Sequence, residues 1–272
     1  MKKKNKILSF TLLCVLSIAL LAACGTAQNE EEAQQGTGGE APAEKQTLVM
    51  GTSADYPPYE FIDTAVSDEI IGFDIDIANY IADRLGFELE VRDMDFNGLV
   101  PALTNNRVDF VLAGMTPTPE RLENVDFSEI YYVAKQTIVT KEDSGITSLE
   151  DLAGKTLGVQ LGSIQVGLAN DIAEEIGELE IAERNRITDL IQELMTNRID
   201  AAIIEDTVGE GHIAVNPTLT SFPIVEENEA GSAIAFPKGS ELTDQFNEVL
   251  QEMFENGKMD ELILKWFYPE EE

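Results

Sequence analysis

LVPALTNNRVDFVLAGM, residues 99–115, and ITDLIQELMTNRIDAAIIEDTV, residues 187–208, carry one pattern twice. Each opens with apolar residues at helical spacing, breaks at an Asn-Arg pair, and runs through (V/I)-D into an apolar stretch. The reading of each is a helix, a tight turn and a buried strand. Units of this kind resemble one another in many chains, so the echo supports two lobes of related topology without establishing them.

The flanking sequence extends the alternation. TLVMGTS reads as a strand followed by the loop ADYPPYEF. GFDIDIANYIADRLG places Ile75, Ile77, Ala78, Ile81, Ala82 and Leu85 at helical spacing and stops at Gly86, a C-cap. FELEVRDM alternates as a strand does. SLEDLAG sets Asp151 three residues after Ser148, a capping-box spacing. KTLGVQLGS is a strand with a tight turn, and IQVGLANDIAEEIG a helix. SELTDQFNEVLQEMFENGKMDELILKWF is an amphipathic helix, a break at Gly257 and a shorter helix. Strands alternating with helices predict an α/β fold of mixed, mostly parallel sheet.

The amino-terminal segment is different. Lys2, Lys3, Lys4 and Lys6 precede a run from Ile7 to Ala23 that is nearly all apolar, and the chain then turns polar. This is a secretory signal rather than a membrane span. LAAC, residues 21–24, resembles the lipobox of bacterial lipoproteins and predicts lipidation at Cys24. Residues 1–23 are thus a signal peptide. Residues 24–46, almost without large apolar side chains, are a flexible tether. With Cys14 removed and Cys24 lipidated, no disulfide is expected. His212 is the only histidine, so no zinc site, metal or cofactor is expected. Cleavage at residue 23 leaves 14 Lys and Arg against 51 Asp and Glu, a net charge of −37. That excludes nucleic acid as a partner.

Seven stretches then fall into place together. GTSADYPPYEF (51–61), GFDIDIA (72–78), FNGLVPAL (96–103), the run from Gly114 through FSEIYY, LAGKTLGVQLGS (152–163), NRIDAAIIEDT (197–207) and AIAFPKGSEL (233–242) occur in this order. The chain resembles, over residues 47–268, the amino-acid-type solute-binding proteins (family 3) of bacterial ABC importers. The resemblance implies a two-lobed type II periplasmic-binding-protein fold. Residues 47–135 with 232–272 would form one lobe and 136–231 the other, hinged near Ala134–Val139 and Glu229–Ile234. It also implies a free amino acid as ligand, ABC permease subunits as partners, and attachment to the outer face of a Gram-positive-type cell membrane. A monomer is expected.

The resemblance carries a set of roles. A buried zwitterion needs both charges compensated, and an α-carboxylate suits the planar fork of arginine. Arg121 stands at the family's carboxylate position, helped by the Thr116 amide and by Ser163 and Ile164 after Gly162. The Thr116 hydroxyl and the Gly114 carbonyl would meet the ammonium, with Met115 between them. The family's ammonium-binding aspartate is here Glu205. Asp206 would point to the opposite face of the strand. Tyr56 and Phe73 match the aromatic walls. Ser53, Gln160 and Asp55 are the candidates to meet the ligand side chain. Taken alone, Arg121 would pair with Glu120, Glu123 or Asp126.

No second cation appears among these positions, which disfavours glutamate and aspartate as ligands. Arginine or lysine comes first and glutamine next. Two other functions fit the same fold: an arogenate- or prephenate-type dehydratase, and a sensor that presents its ligand to a receptor. No histidine or cysteine motif nominates a catalytic group, so an enzyme is not expected.

Overall fold

The computed structural model describes residues 45–225 and 230–268, which belong to one compact unit. The signal peptide, Cys24 and all but the end of the tether lie outside the described residues, as does Glu229.

The chain begins with β1 (Thr47–Thr52), three short strands β2 (Asp55–Tyr56), β3 (Glu60–Ile62) and β4 (Ile70–Ile71), and helix α1 (Phe73–Leu85). It continues through β5 (Glu88–Asp93), α2 (Leu99–Thr104), β6 (Phe110–Val111), α3 (Pro119–Asn124) and β7 (Val125–Ala134). It then crosses at Lys135 into β8 (Gln136–Lys141), β9 (Thr156–Gln160), α4 (Gln165–Ile176), β10 (Glu180–Arg184), α5 (Ile187–Met195), β11 (Ala201–Glu205), α6 (Asp206–Val215) and β12 (Leu219–Pro223). Finally β13 (Ala230–Pro237) returns to the first sheet, followed by α7 (Leu242–Glu255) and α8 (Lys258–Phe267).

Two five-stranded sheets result, ordered β5-β1-β6-β13-β7 and β10-β9-β11-β8-β12. In each, the first three strands run parallel, the fourth runs antiparallel to them, and the fifth pairs antiparallel with the fourth. Helices cover both faces of each sheet. Phe246 of α7 packs on Phe110 and Phe236, while Leu99, Ala102 and Leu103 of α2 fill the opposite face with Val108 and Val111. Ala169 and Ile172 of α4, and Leu190 and Leu194 of α5, do the same for the second sheet.

The sequence echo is a structural repeat. Asn106 and Asn197 both take the left-handed conformation, with φ of 52° and 55°, which asparagine tolerates. The next amide in each bonds back to the helix end, Arg107 to the Ala102 carbonyl and Arg198 to the Glu193 carbonyl, both 2.9 Å. The aspartate two residues on then closes the strand edge. The Asp109 carboxylate accepts from the Val49 amide at 2.7 Å, and Asp200 from the Thr156 amide at 2.9 Å. This register matches Gly51 with Gly158 and Ser53 with Gln160. Both glycines are packing requirements. A Cβ on Gly158 would sit 2.6 Å from Ile199 and 2.7 Å from Leu190; on Gly51 it would sit 3.2 Å from Leu99 and Val111.

Two strands are shorter than the apolar runs suggest. VDFVLAGM pairs only at Phe110–Val111, because the backbone then turns at Gly114 (φ 54°). The second run leaves the sheet at Glu205, and Asp206 opens α6 with an acid in its first turn, favourable to the helix dipole. In SLEDLAG the Asp151 carboxylate accepts from the Thr147 and Ser148 amides, but the turn it caps is a short 3-10 segment, Glu150–Leu152.

Candidate functional site

The carboxyl ends of β1, β9 and β11, with the turns that follow, face one another between the two sheets. Ser53, Tyr56, Gly114, Thr116, Arg121, Gln160, Ser163, Ile164 and Glu205 line a small cavity there. Glu60, Phe96, Ala113 and Gln165 line it as well.

Arg121 is held by a small helix. Thr118 caps α3 by accepting from the Arg121 amide, 3.2 Å, and Pro119 supplies the first helical position. The guanidinium donates to the Thr116 carbonyl at 2.7 Å and, across the cleft, to the Gly162 carbonyl at 2.9 Å. It lies over the Phe96 ring, 5.4 Å from the centroid. Among the described residues no carboxylate pairs with it. Asp126 is taken by Lys238 at 2.7 Å and by the Gly239 amide, and Glu120 and Glu123 are exposed. Burial lowers the Arg121 pKa to about 10, against the pull of Glu120, so it stays cationic at neutral pH.

Glu205 ends β11 inside the cavity, 3% exposed, and its Oε2 has no hydrogen-bond partner. Burial raises its pKa to about 8; the Tyr59 hydroxyl faces it but closes no hydrogen bond there. Asp206 lies outside the cavity, where its carboxylate accepts from the Lys135 and Thr207 amides. Glu60 is wholly buried, with both carboxylate oxygens unpartnered. Burial first, then the charges of Asp74 and Asp55, push its pKa well up.

Four sequence-chosen residues stand elsewhere than expected. Phe73 is not a cavity wall. It points into the core, 0% exposed, edge-on to Phe267 and Tyr132 at 5.0 and 5.7 Å, because it lies on the inner face of α1. Phe96 forms the second wall beside Tyr56. Asp55 does not reach the cavity: its carboxylate accepts from the Ser53 hydroxyl and the Ile187 amide and faces Arg186 at 3.7 Å. Met115 and Gly162 face an outer groove instead, and the Met115 side chain packs with Phe96 and Val125.

Ser163 does not cap α4. Its hydroxyl donates to the Gln160 carbonyl at 2.6 Å, and Ile164 is the cap residue. Gln160 is braced by donating to the Asn185 carbonyl, and Gln165 by donating to Gln136. Glu60 and Phe96 were visible in the motifs GTSADYPPYEF and FNGLVPAL but carried no distinguishing signal there.

Of the ionisable cavity side chains, Glu60 and Glu205 are acids and Arg121 is the base. Such a site complements a molecule with one carboxylate and two cationic groups. No cluster of three His, Cys, Asp or Glu suited to a metal occurs among the described residues.

Two helix-covered sheets, joined by two crossings around a polar cavity, define a two-lobed type II periplasmic-binding-protein fold. The model of the bacterial extracellular solute-binding proteins, family 3, matches residues 48–269, and the chain belongs to that family. It is 51% identical over 249 residues to the arginine-binding extracellular protein ArtP of Bacillus subtilis (strain 168), covering 91% of this chain and 92% of that protein. An ancestral arginine-binding protein bound to arginine superimposes with a TM-score of 0.76 at 38% identity, covering 82% of this chain and 99% of the other. An ancestral arginine-binding protein bound to glutamine gives the same TM-score and identity, over 83% and 99%. The protein is thus an amino-acid-binding component of the ABC-transporter type.

Proposed function

We propose that this protein captures free L-arginine outside the cytoplasm and delivers it to an ABC permease. One observation carries the choice: the cavity holds two unpaired buried carboxyls and one arginine. The α-carboxylate meets Arg121 with the Thr116, Ser163 and Ile164 amides, and the α-ammonium meets Glu205. Glu60 is left for a cationic side chain, flanked by Tyr56 and Phe96. Lysine satisfies the same charges with fewer hydrogen bonds. An acidic side chain would meet Glu60 and is rejected.

Glutamine is the second reading. It is favoured by the structural neighbour bound to glutamine and by Ser53 and Gln160, which can serve an amide.

Arg121 belongs to the lobe of residues 47–135 and 232–272, and Ser163, Ile164 and Glu205 to the lobe of residues 136–231. A ligand touching both favours the closed state by its differential affinity. The closing motion turns on the two crossings between the sheets, at Lys135 and at the start of β13. In this reading the chain is a monomeric binder and not an enzyme or receptor domain, exported by residues 1–23 and anchored through lipidated Cys24. The relatives, as solute-binding proteins, support a binder rather than an enzyme.

Calorimetry across the twenty amino acids tests it. Arginine should bind most tightly, lysine and glutamine more weakly, and glutamate not measurably. Arg121→Ala should weaken arginine binding by about 2–5 kcal/mol, the range for truncating a buried charge partner. Glutamate binding as tightly as arginine, or no amino acid binding at all, would overturn the proposal.

A further inference from the structure

Glu60 and Asp74 are both wholly buried and brought side by side where the Asp74 amide donates to the Tyr59 carbonyl at 2.9 Å, and their carboxyls interact directly. Asp74 sits in the first turn of α1, where its Oδ2 accepts from the Gly114 amide at 3.0 Å and from the Tyr131 hydroxyl at 2.9 Å. Its Oδ1 and both oxygens of Glu60 have no donor. Two ionised carboxylates in contact have no proton to share, whereas one proton turns the contact into an O–H···O bond.

The surroundings do not supply positive charge in place of that proton. Asp55 from β2 and Glu205 from the end of β11 add negative charge. Tyr131 from β7 offers a phenol, the turn after β6 the Gly114 amide, and the loop after β2 the ring of Tyr59. Arg121 is the base of the same cavity, but its guanidinium points to the Thr116 and Gly162 carbonyls, and the charges that bear most on Glu60 are those of Asp74, Asp55 and Glu205. Of the pair, only Glu60 reaches the cavity.

We infer that Glu60 and Asp74 hold a shared proton in the ligand-free protein and release it when a cationic side chain enters. Asp74 thereby sets, through Glu60, which side-chain charge the cavity accepts. The inference rests on the arginine reading above. A guanidinium supplies the positive charge that the shared proton otherwise supplies, so the proton leaves to solvent. A neutral amide does not displace it, and protonated Glu60 can donate to the amide oxygen. Glu205 behaves differently, because the α-ammonium of any amino acid replaces its proton. Subtracting glutamine from arginine therefore isolates the proton of the pair. Asp74 touches no ligand atom and is a positioning residue.

The test is calorimetry of the full chain with arginine and with glutamine, each in two buffers of different ionisation enthalpy. At about pH 6, arginine should release about one proton more than glutamine. As pH is raised toward neutrality, arginine affinity relative to glutamine should increase by up to about tenfold per pH unit. Glu60→Gln should abolish the excess. Asp74→Asn should move the pH dependence of arginine binding downward while leaving glutamine affinity within about threefold, a pattern that lost packing alone does not produce. Equal proton counts for the two ligands overturn the inference and leave arginine binding standing. An excess that survives Glu60→Gln overturns it as well, and an unchanged profile in Asp74→Asn removes the role of Asp74. Failure of arginine to bind overturns both readings.

Discussion

Arg186 donates two hydrogen bonds, 2.8 and 3.1 Å long, to the Asp93 carboxylate across the cleft between the two sheets. Its Nε also donates to Asp95 at 2.9 Å, and Asp95 accepts from Asn185 at 3.0 Å. Arg186 is the residue before α5, and the first amide of that helix, Ile187, donates to Asp55. One lobe therefore caps a helix of the other, and the contact exists only when the lobes are together. None of these groups lines the cavity.

Removing the clamp should weaken every ligand alike. Arg186 is about one-quarter exposed, so its pairs are partly screened. Arg186→Ala should lower arginine and glutamine affinity by the same factor, roughly three- to tenfold, as expected for loss of about 1 kcal/mol of closed-state stabilisation. Calorimetry at low and high salt checks this, and wild-type affinity should fall with salt more steeply than that of the variant. A change confined to arginine would instead place Arg186 in side-chain recognition.

Phe96 and Phe73 should separate binding from packing. Phe96→Leu keeps apolar bulk but removes the ring beneath Arg121, so amino-acid affinity should fall by about 0.5–2 kcal/mol with little change in melting temperature. Phe73→Leu disturbs a packed aromatic cluster, so melting temperature should fall with a destabilisation of about 1–2 kcal/mol and affinity should hold. Paired thermal melts and titrations of the two variants decide the assignment, and the reverse pattern would restore Phe73 as the wall.

The contrast between these two rings shows what was legible in the sequence. Helix α1 was readable because its apolar residues repeat at helical spacing, and the repeat was readable because asparagine, arginine and aspartate each have a backbone task in it. The same periodicity places Phe73 on the inner face of α1, where a motif match drew it toward the cavity. Phe96 precedes α2 in a short 3-10 turn and resembles any staple residue; only the approach of Arg121 distinguishes it. Glu60 was unreadable for another reason. Its isolation depends on α1, the turn at Gly114 and the end of β11 meeting around it, contacts between residues far apart in the chain. The Arg186 clamp likewise joins residues more than ninety positions apart.

The buried acids should also tie stability to pH. Burial holds Glu205 at about 8 against an ordinary 4.5, and Asp74 at about 7 against 3.8. Between those limits the folded protein keeps protons that the unfolded chain has lost, so stability falls as pH rises. The contribution is fully present below about pH 4 and is lost as pH passes through 7 and 8. Carboxyls held low, such as Glu252 by Arg84 and Tyr80 and Asp126 by Lys238, act with the opposite sign but below this window. Without ligand, the melting temperature should therefore drop from about pH 5 to pH 8.5, reflecting a loss on the order of 6 kcal/mol. Arginine should offset the drop, because its ammonium and guanidinium compensate the carboxylates as they ionise. Glu205→Gln should flatten the ligand-free profile, since the amide does not titrate. Scanning calorimetry across that range checks the sign, and a melting temperature that rises with pH would show that Glu205 and Asp74 are ionised in the ligand-free protein.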